Sequence, residues 1–347
     1  MKNFLTRISI FFDILKDFLV AVLVTVLILL FTTGIAHNLL KINEVSGKYT
    51  GEYKNLYNAG NNRMMNIYTI GQGDKTLVIL SGFGLQSPVI EYKSFARNLS
   101  SDCRVVIVEY LGYGYSLKAE TDRTSENIVK EVRMALADAG IYGPYTLVPH
   151  SISNIYAIKY QELYPDEVSA IISIDGLMPN MSKEQAFIKE INSSKTNIQV
   201  SSIAEFTGFA RVLSYVKPEL FYIDKMQADS NYTAEDIKEF RKRIGIGYLT
   251  GSMVKEINKL QENLMAEKEY VYPNYLPVLE ILTTESVEKY KEQKNQNIIS
   301  KDYEEYANNM LSNPVLQRVQ VIEGDHMVPV TNPSSVAQMI KEFIKTY

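Results

Sequence analysis

Val148-Pro149-His150-Ser151-Ile152-Ser153-Asn154 joins a short apolar run, Thr146–Val148, to a helical pattern over Asn154–Leu163 that Pro165 closes. A strand that enters a helix through so tight a turn holds the intervening serine in strained backbone geometry, the arrangement of a nucleophile elbow. Small residues two before and two after the serine let strand and helix approach each other. Pro149 and Ser153 occupy those places, where glycine is usual.

Outward from this turn, apolar runs and helical patterns alternate. Leu77–Leu80, Arg104–Glu109, Ala170–Ile174, Val278–Leu282 and Arg318–Ile322 read as strands. Thr124–Ala139 reads as a helix with Gly140 as its C-terminal cap, and Asn332-Pro333 opens a last helix that runs to about Lys345. Continuously apolar strands between helices predict an α/β fold, a mostly parallel sheet covered on both faces. Residues 177–276 carry helical patterns and no strand. A stretch of about 100 residues is too long for a plain loop and reads as an inserted helical cap. The α/β core is accordingly expected over 64–176 and 277–347.

The N-terminus is of another kind. Phe18 to Ala36, FLVAVLVTVLILLFTTGIA, is 19 residues without a charge. A helix needs about 20 residues to cross a bilayer core, whereas the apolar stretch of a cleavable signal peptide runs to about 7–15. The length favours an uncleaved anchor over 18–36. Gly34 and Ala36 leave a cleaved signal as the alternative. Lys2, Arg7 and Lys16 precede the span while Lys41 and Lys48 follow it, so the positive-inside bias puts residues 1–17 in the cytoplasm and the body outside it. The expected localisation is a single-pass membrane protein with an extracytoplasmic catalytic domain. Residues 37–63 read as a linker and lead-in strand.

Composition narrows the function classes. Hydrophobic residues make up 46% of 347, enough for a sizeable core, and the net charge of −4 comes with no Lys/Arg-rich block, so nucleic-acid binding has no electrostatic support and no such partner is expected. One cysteine, Cys103, rules out an intramolecular disulfide and a Cys-rich zinc site. No His/Cys/Asp/Glu group has metal-ligand spacing, and Gly112-x-Gly114 lacks the third glycine of a dinucleotide loop. Neither a metal nor a cofactor is implied. Nothing in the chain sets an oligomeric state.

Two further pieces fall where the elbow needs them. Ser81-Gly82-Phe83-Gly84 follows a strand, so the Phe83 amide is a candidate oxyanion donor; the second is the Ile152 amide, just after the serine at a helix N-terminus. Gly324-Asp325-His326 follows the last strand, and a histidine there reaches back to the serine as base and then acid. The chain has three histidines. His37 ends the apolar span and His150 adjoins the serine as a structural neighbour, which leaves His326.

Taken together these motifs resemble the α/β-hydrolase superfamily, in particular its capped prolyl iminopeptidase-like and esterase-like branch. Ser81-Gly82-Phe83-Gly84 resembles the His-Gly-x-Gly oxyanion turn with Ser for His. Glu109-Tyr110-Leu111-Gly112-Tyr113-Gly114-Tyr115-Ser116 resembles the Asp-x-x-Gly-x-Gly-x-Ser segment with Glu for Asp. Pro149–Ser153 resembles the Gly-His-Ser-x-Gly elbow, and Gly324-Asp325-His326 the Gly-x-His. The likeness covers residues 64 to 347 outside the cap. It implies an α/β-hydrolase fold and cleavage of an ester or amide in a small molecule or short peptide, through an acyl-enzyme on Ser151.

The resemblance leaves two places for the acid. Most members carry it after the strand that is here Val278–Leu282, where Ser286 stands at the expected position with Glu285 one residue before. Some capped members carry it after the preceding strand, where Asp175 stands. Asp175 is the expected acid and Glu285 the alternative. Glu109 is expected to hold a structural hydrogen bond. An aminopeptidase would want a carboxylate pair for the substrate ammonium, which Glu205, Glu219, Asp224 and Asp229 of the cap offer. Phe206, Phe209 and Tyr215 are candidates for a substrate pocket or for cap core. A non-catalytic binding protein on the same scaffold is the alternative outside enzymes. Chemistry through a carboxylate nucleophile is disfavoured, because Ser151 stands at that position.

Overall fold

A computed structural model describes residues 2–46 and 51–347. Lys48, used above for orientation, lies outside the described residues. Eight strands form one sheet: β1 (Leu56–Asn58), β2 (Met64–Ile70), β3 (Thr76–Leu80), β4 (Arg104–Glu109), β5 (Tyr145–Pro149), β6 (Val168–Ile174), β7 (Val278–Thr283) and β8 (Gln317–Ile322). Their order is β1-β2-β4-β3-β5-β6-β7-β8, antiparallel at β1/β2/β4 and parallel from β4 through β8. The antiparallel pair β1 and β2 closes one edge. The lead-in strand expected before residue 64 is β1.

The parallel strands are apolar on both sides because both faces are covered. Val78, Leu80, Val106 and Val108 point into one apolar layer, while Leu77, Ile79, Val105 and Ile107 point into the other. After α1 (Lys2–Ser46), the helices that build these layers include α2 (Pro88–Glu91), α3 (Lys93–Leu99), α4 (Ser125–Asp138) and α5 (Ser153–Leu163). Between β6 and β7 come α6 (Gln185–Phe206), α7 (Phe209–Val216), α8 (Ile223–Ala228), α9 (Ala234–Gly247) and α10 (Gly251–Ala266), with no strand among the described residues. Helices α11 (Thr284–Asn295) and α12 (Tyr303–Asn308) separate β7 from β8, and α13 (Val328–Thr331) and α14 (Pro333–Ile344) close the chain.

Helix α1 departs from the sequence reading. Residues 37–46, expected as linker, continue the helix. No proline or glycine interrupts them, and the segment has a surface to dock on: Lys41 pairs with Glu205 at 2.8 Å and Glu44 with Arg211 at 2.6 Å. Over Ile10–Ile42 this helix is long and apolar enough to cross a membrane.

One sheet position gives a stability prediction. Glu280, in the middle of β7, is fully buried and accepts a hydrogen bond from Tyr272 at 2.7 Å. Burial pushes its carboxyl up to about 7, the tyrosine hydrogen bond only partly opposing this. The folded state therefore holds the proton more tightly than the unfolded chain. Below the unfolded value both states are protonated; as pH rises towards the folded value, stability is lost. Glu280→Gln keeps an acceptor for Tyr272 and removes the charge. The variant is expected to match the parent near pH 4.5 and to exceed it by on the order of 1–3 kcal/mol near pH 8, in urea melts at the two pH values.

Candidate active site

The site lies at the carboxyl ends of the parallel strands, where loops from neighbouring strands converge. Strand β5 delivers the elbow. Its ladder with β6 runs to Leu147↔Ile171 and resumes only as a bridge at His150↔Ile174. Pro149, which has no N–H to donate, falls in that gap, and this is how a proline fits at the end of a central strand. The next two amides are engaged: His150 N donates to Leu80 O and Ser151 N to Ile174 O, both at 3.0 Å. Ser151 takes φ +58, in the left-handed region that costs a non-glycine residue energy and survives only where the surroundings impose it. Ser153 is fully buried: Tyr110 lies 2.8 Å from its hydroxyl, and the hydroxyl donates to the Ser81 carbonyl. The serine in the glycine position thus ties α5 to the oxyanion turn, a role that no sequence pattern announced.

Ser151, His326 and Asp175 come together although they are far apart in the chain. His326 Nδ1 lies 2.6 Å from Asp175 Oδ2, and His326 Nε2 lies 2.9 Å from Ser151 Oγ. A carboxylate only accepts, so Nδ1 carries the proton and Nε2 is free to accept from the serine hydroxyl. Asp175 directly follows β6, takes φ +45 and is buried. Burial alone would raise its carboxyl; the hydrogen bond and charge of His326, with further donors in the Ser286 hydroxyl (2.6 Å) and the Thr283 amide (3.0 Å), outweigh that and hold it below the ordinary aspartate value. Ser286, at the position where the resemblance places an aspartate, is thus a donor to Asp175. Glu285 does not reach the imidazole: its Oε2 accepts the backbone N–H of His326 at 3.1 Å. Asp325 accepts from the Met327 amide at 2.8 Å and the Thr331 hydroxyl at 3.0 Å, which shapes the loop.

His150 supports this arrangement from behind. Its Nε2 lies 2.8 Å from the His326 carbonyl and its Nδ1 2.7 Å from the Tyr92 hydroxyl. A carbonyl only accepts, so Nε2–H donates to it and Nδ1 accepts from Tyr92. Burial, then the nearby His326, pushes the His150 ring down to about 3, which leaves it neutral. The ring fixes the backbone of the loop that carries His326.

One of the two candidate oxyanion residues, Phe83, lines the space beside the serine, and the other, Ile152, follows the serine in the chain. Phe83 and Ser151 line one cavity of about 630 Å³, and among the described residues neither the Phe83 nor the Ile152 amide donates a hydrogen bond. The loop that carries Phe83 is held by Glu109, whose buried carboxylate accepts from the Tyr115 amide (2.7 Å), Asn66 (2.9 Å), the Ser87 hydroxyl and the Val89 amide (3.2 Å each). The cavity walls are largely apolar, with Leu177, Phe187, Ile191, Ile257 and Leu260, and an ion pair of Glu190 with Lys289 at 2.9 Å lies on the side.

The cap residues singled out in the sequence lie elsewhere. Phe206, Phe209 and Tyr215 are neither pocket nor core; all three are exposed on the outside of the cap. Glu205 is paired with Lys41, Glu219 and Asp224 are exposed, and Asp229 accepts from the Asn231 amide; none of the four lines the cavity. Which face of a cap helix points inward depends on the neighbouring helices, and apolar residues occur on both faces of α7. Among the described residues no group of three or more His, Cys, Asp or Glu is placed to hold a metal ion.

Comparison with known proteins agrees with this architecture. A family model for the alpha/beta hydrolase fold matches residues 75–199. An uncharacterized protein of Bacillus subtilis (strain 168), YbdG, is 28% identical over 286 residues, 82% of this chain and 83% of that one. Among solved structures, an epoxide hydrolase from Vigna radiata superposes with a TM-score of 0.62 at 18% identity, covering 86% of this chain and all of that one. A thermophilic esterase from Thermogutta terrifontis gives a TM-score of 0.56 at 16% identity over 84% and 98% of the two chains. At such identities the likeness is one of fold.

Proposed function

We propose that this chain, which has the α/β-hydrolase fold, is a serine hydrolase held at a membrane by α1 and cleaving an ester or amide through an acyl-enzyme on Ser151. The observation that carries the reading is the run of contacts from Asp175 through His326 to Ser151 Oγ beside two unengaged amides. In this mechanism His326 Nε2 takes the Ser151 proton as Oγ bonds to the substrate carbonyl carbon. The carbonyl oxygen becomes an oxyanion and accepts from the Phe83 and Ile152 amides. Collapse breaks the bond to the leaving group, which departs with the proton from Nε2. Water then repeats the steps on the acyl-enzyme and releases the acid. Asp175 keeps Nδ1–H pointed at itself and stabilises the imidazolium in both halves.

A carbonyl substrate suits these groups better than an epoxide, which has no carbonyl oxygen for the two amides to receive. An aminopeptidase is not favoured: Glu205, Glu219, Asp224 and Asp229 lie outside the cavity, and Glu190, the cap carboxylate that lines it, is paired with Lys289. The N-terminal charges favour a body on the extracytoplasmic side. A serine-directed fluorophosphonate should label the full-length protein at one site, and Ser151→Ala should abolish the labelling. A variant that labels as fast as the parent would sink the proposal.

A further inference from the structure

Helix α1 meets the cap at a definite depth. The uncharged run from Phe18 to Ala36 lies between Asp17 on one side and Lys41 and Glu44 on the other. At about 1.5 Å per residue its 19 residues span about 28 Å, which matches a hydrocarbon core of about 30 Å. The cap packs on the last turn of that run and the turn beyond it. A Cβ on Gly34 would stand 2.8 Å from the Phe206 ring, and one on Gly208, itself at φ +73, would stand 2.6 Å from the His37 ring. Asn38 Nδ2 donates to the Phe206 carbonyl at 3.1 Å, and the Lys41–Glu205 and Arg211–Glu44 pairs follow. The corner between α6 and α7 is therefore level with the end of the hydrocarbon segment.

From that corner an apolar stripe runs along the outside of the cap. Phe206, Phe209, Val212, Val216 and Leu220 recur every three or four residues, one face of a helical path. Each is more than half exposed, from Phe206 at 54% to Val216 at 69%. The other side of α7 faces inward through Ala210, Leu213 and Ser214. Tyr215 flanks the stripe with the Arg241 guanidinium 4.7 Å from its ring centroid, an amphipathic pair of the kind found at headgroup level. A contiguous exposed patch of this composition marks an interaction surface.

The stripe ends at the site. Leu220 lines a cavity of about 330 Å³ that shares Phe83 and Ile198 with the larger one at Ser151. Apolar surface thus runs from the span, over α7, to the space beside the serine.

We infer that the outer face of α7 lies in the interfacial layer of the bilayer that α1 enters, and that the Ser151 site takes an amphiphile with a fatty acyl ester from that bilayer. The substrate class rests on the serine-hydrolase reading; the membrane face does not. The acyl carbon passes to Ser151 Oγ, the alcohol leaves with the proton from His326, and water releases the free fatty acid. A helix lying in the interface buries its apolar face about 5–10 Å into the acyl boundary, which suits a stripe level with the last turn of the span. Continuity with α1 selects lipid over a second copy of the chain as the occupant.

The chain has no tryptophan, so Val212→Trp introduces a single indole on the exposed face. In full-length protein reconstituted in phosphatidylcholine vesicles, its emission should shift to the blue and be quenched by lipids brominated along the acyl chains. Water-like emission that brominated lipid leaves unchanged overturns the inference. A blue shift without bromine quenching, growing with the protein-to-lipid ratio, also overturns it, since a second copy then covers the face. The combined change Phe209→Gln, Val212→Gln and Val216→Gln should slow hydrolysis of a long-chain ester dissolved in the vesicles by about tenfold and leave a short soluble ester unaffected. No loss on the vesicle ester, or equal loss on both, overturns delivery from the bilayer. Quenching by bromine in Val212→Trp, with a parent that hydrolyses neither ester, sinks the serine-hydrolase reading and leaves the membrane face standing.

Discussion

Ser151→Ala is expected to lower kcat for a short p-nitrophenyl ester by about a millionfold, and His326→Ala by about as much. The reason is the shared proton. The 2.9 Å contact between Ser151 Oγ and His326 Nε2 makes serine and base one unit, and a hydroxyl with no base beside it is a weak nucleophile near neutrality. The double variant should therefore lose no more than either single one, whereas independent contributions would multiply. The residual rate reports what the Phe83 and Ile152 amides and the cavity contribute without the nucleophile. Single-turnover kinetics on the four proteins measures the coupling. His326→Ala turning over within about tenfold of the parent would be incompatible with a serine–histidine dyad.

Asp175→Asn is expected to lower kcat by about ten-thousandfold, while Glu285→Gln leaves it within about threefold. Both oxygens of Asp175 accept: Oδ1 from the Thr283 amide, Oδ2 from the Ser286 hydroxyl and His326 Nδ1. An amide offers only one accepting atom, so one donor must face an NH₂ group. With the amide nitrogen towards the ring, Nδ1 must accept and Nε2 carries the proton, which is the wrong tautomer for a base. Glu285 holds only the His326 backbone amide, and the glutamine oxygen keeps that contact. The same comparison decides between the two acids that the sequence left open. A large loss in Glu285→Gln with Asp175→Asn intact would reassign the role.

Much of the fold was legible before any coordinates. Apolar strands between amphipathic helices carry their own period, and the parallel runs from Leu77–Leu80 to Arg318–Ile322 lie within the observed β3, β4 and β6–β8. Element order together with the Ser81, Glu109, Pro149 and Gly324 segments pointed to the α/β-hydrolase fold. Local patterning failed at α1, where 37–46 looked like linker; the surface it docks on, Glu205 and Arg211, lies more than 160 residues away in the chain.

The chain alone therefore determined the elements, their order and the two residues, Ser151 and His326, that stand at the ends of the right strands, because periodicity and turn chemistry are local. The tertiary structure decided the rest. It placed Asp175, and not Glu285, against the imidazole, since which carboxylate faces a ring depends on how β6, β7 and the His326 loop pack. It also turned Phe206, Phe209 and Tyr215 outward. Apolar composition says that a side chain avoids water, but only the neighbouring helices say whether protein is there to cover it.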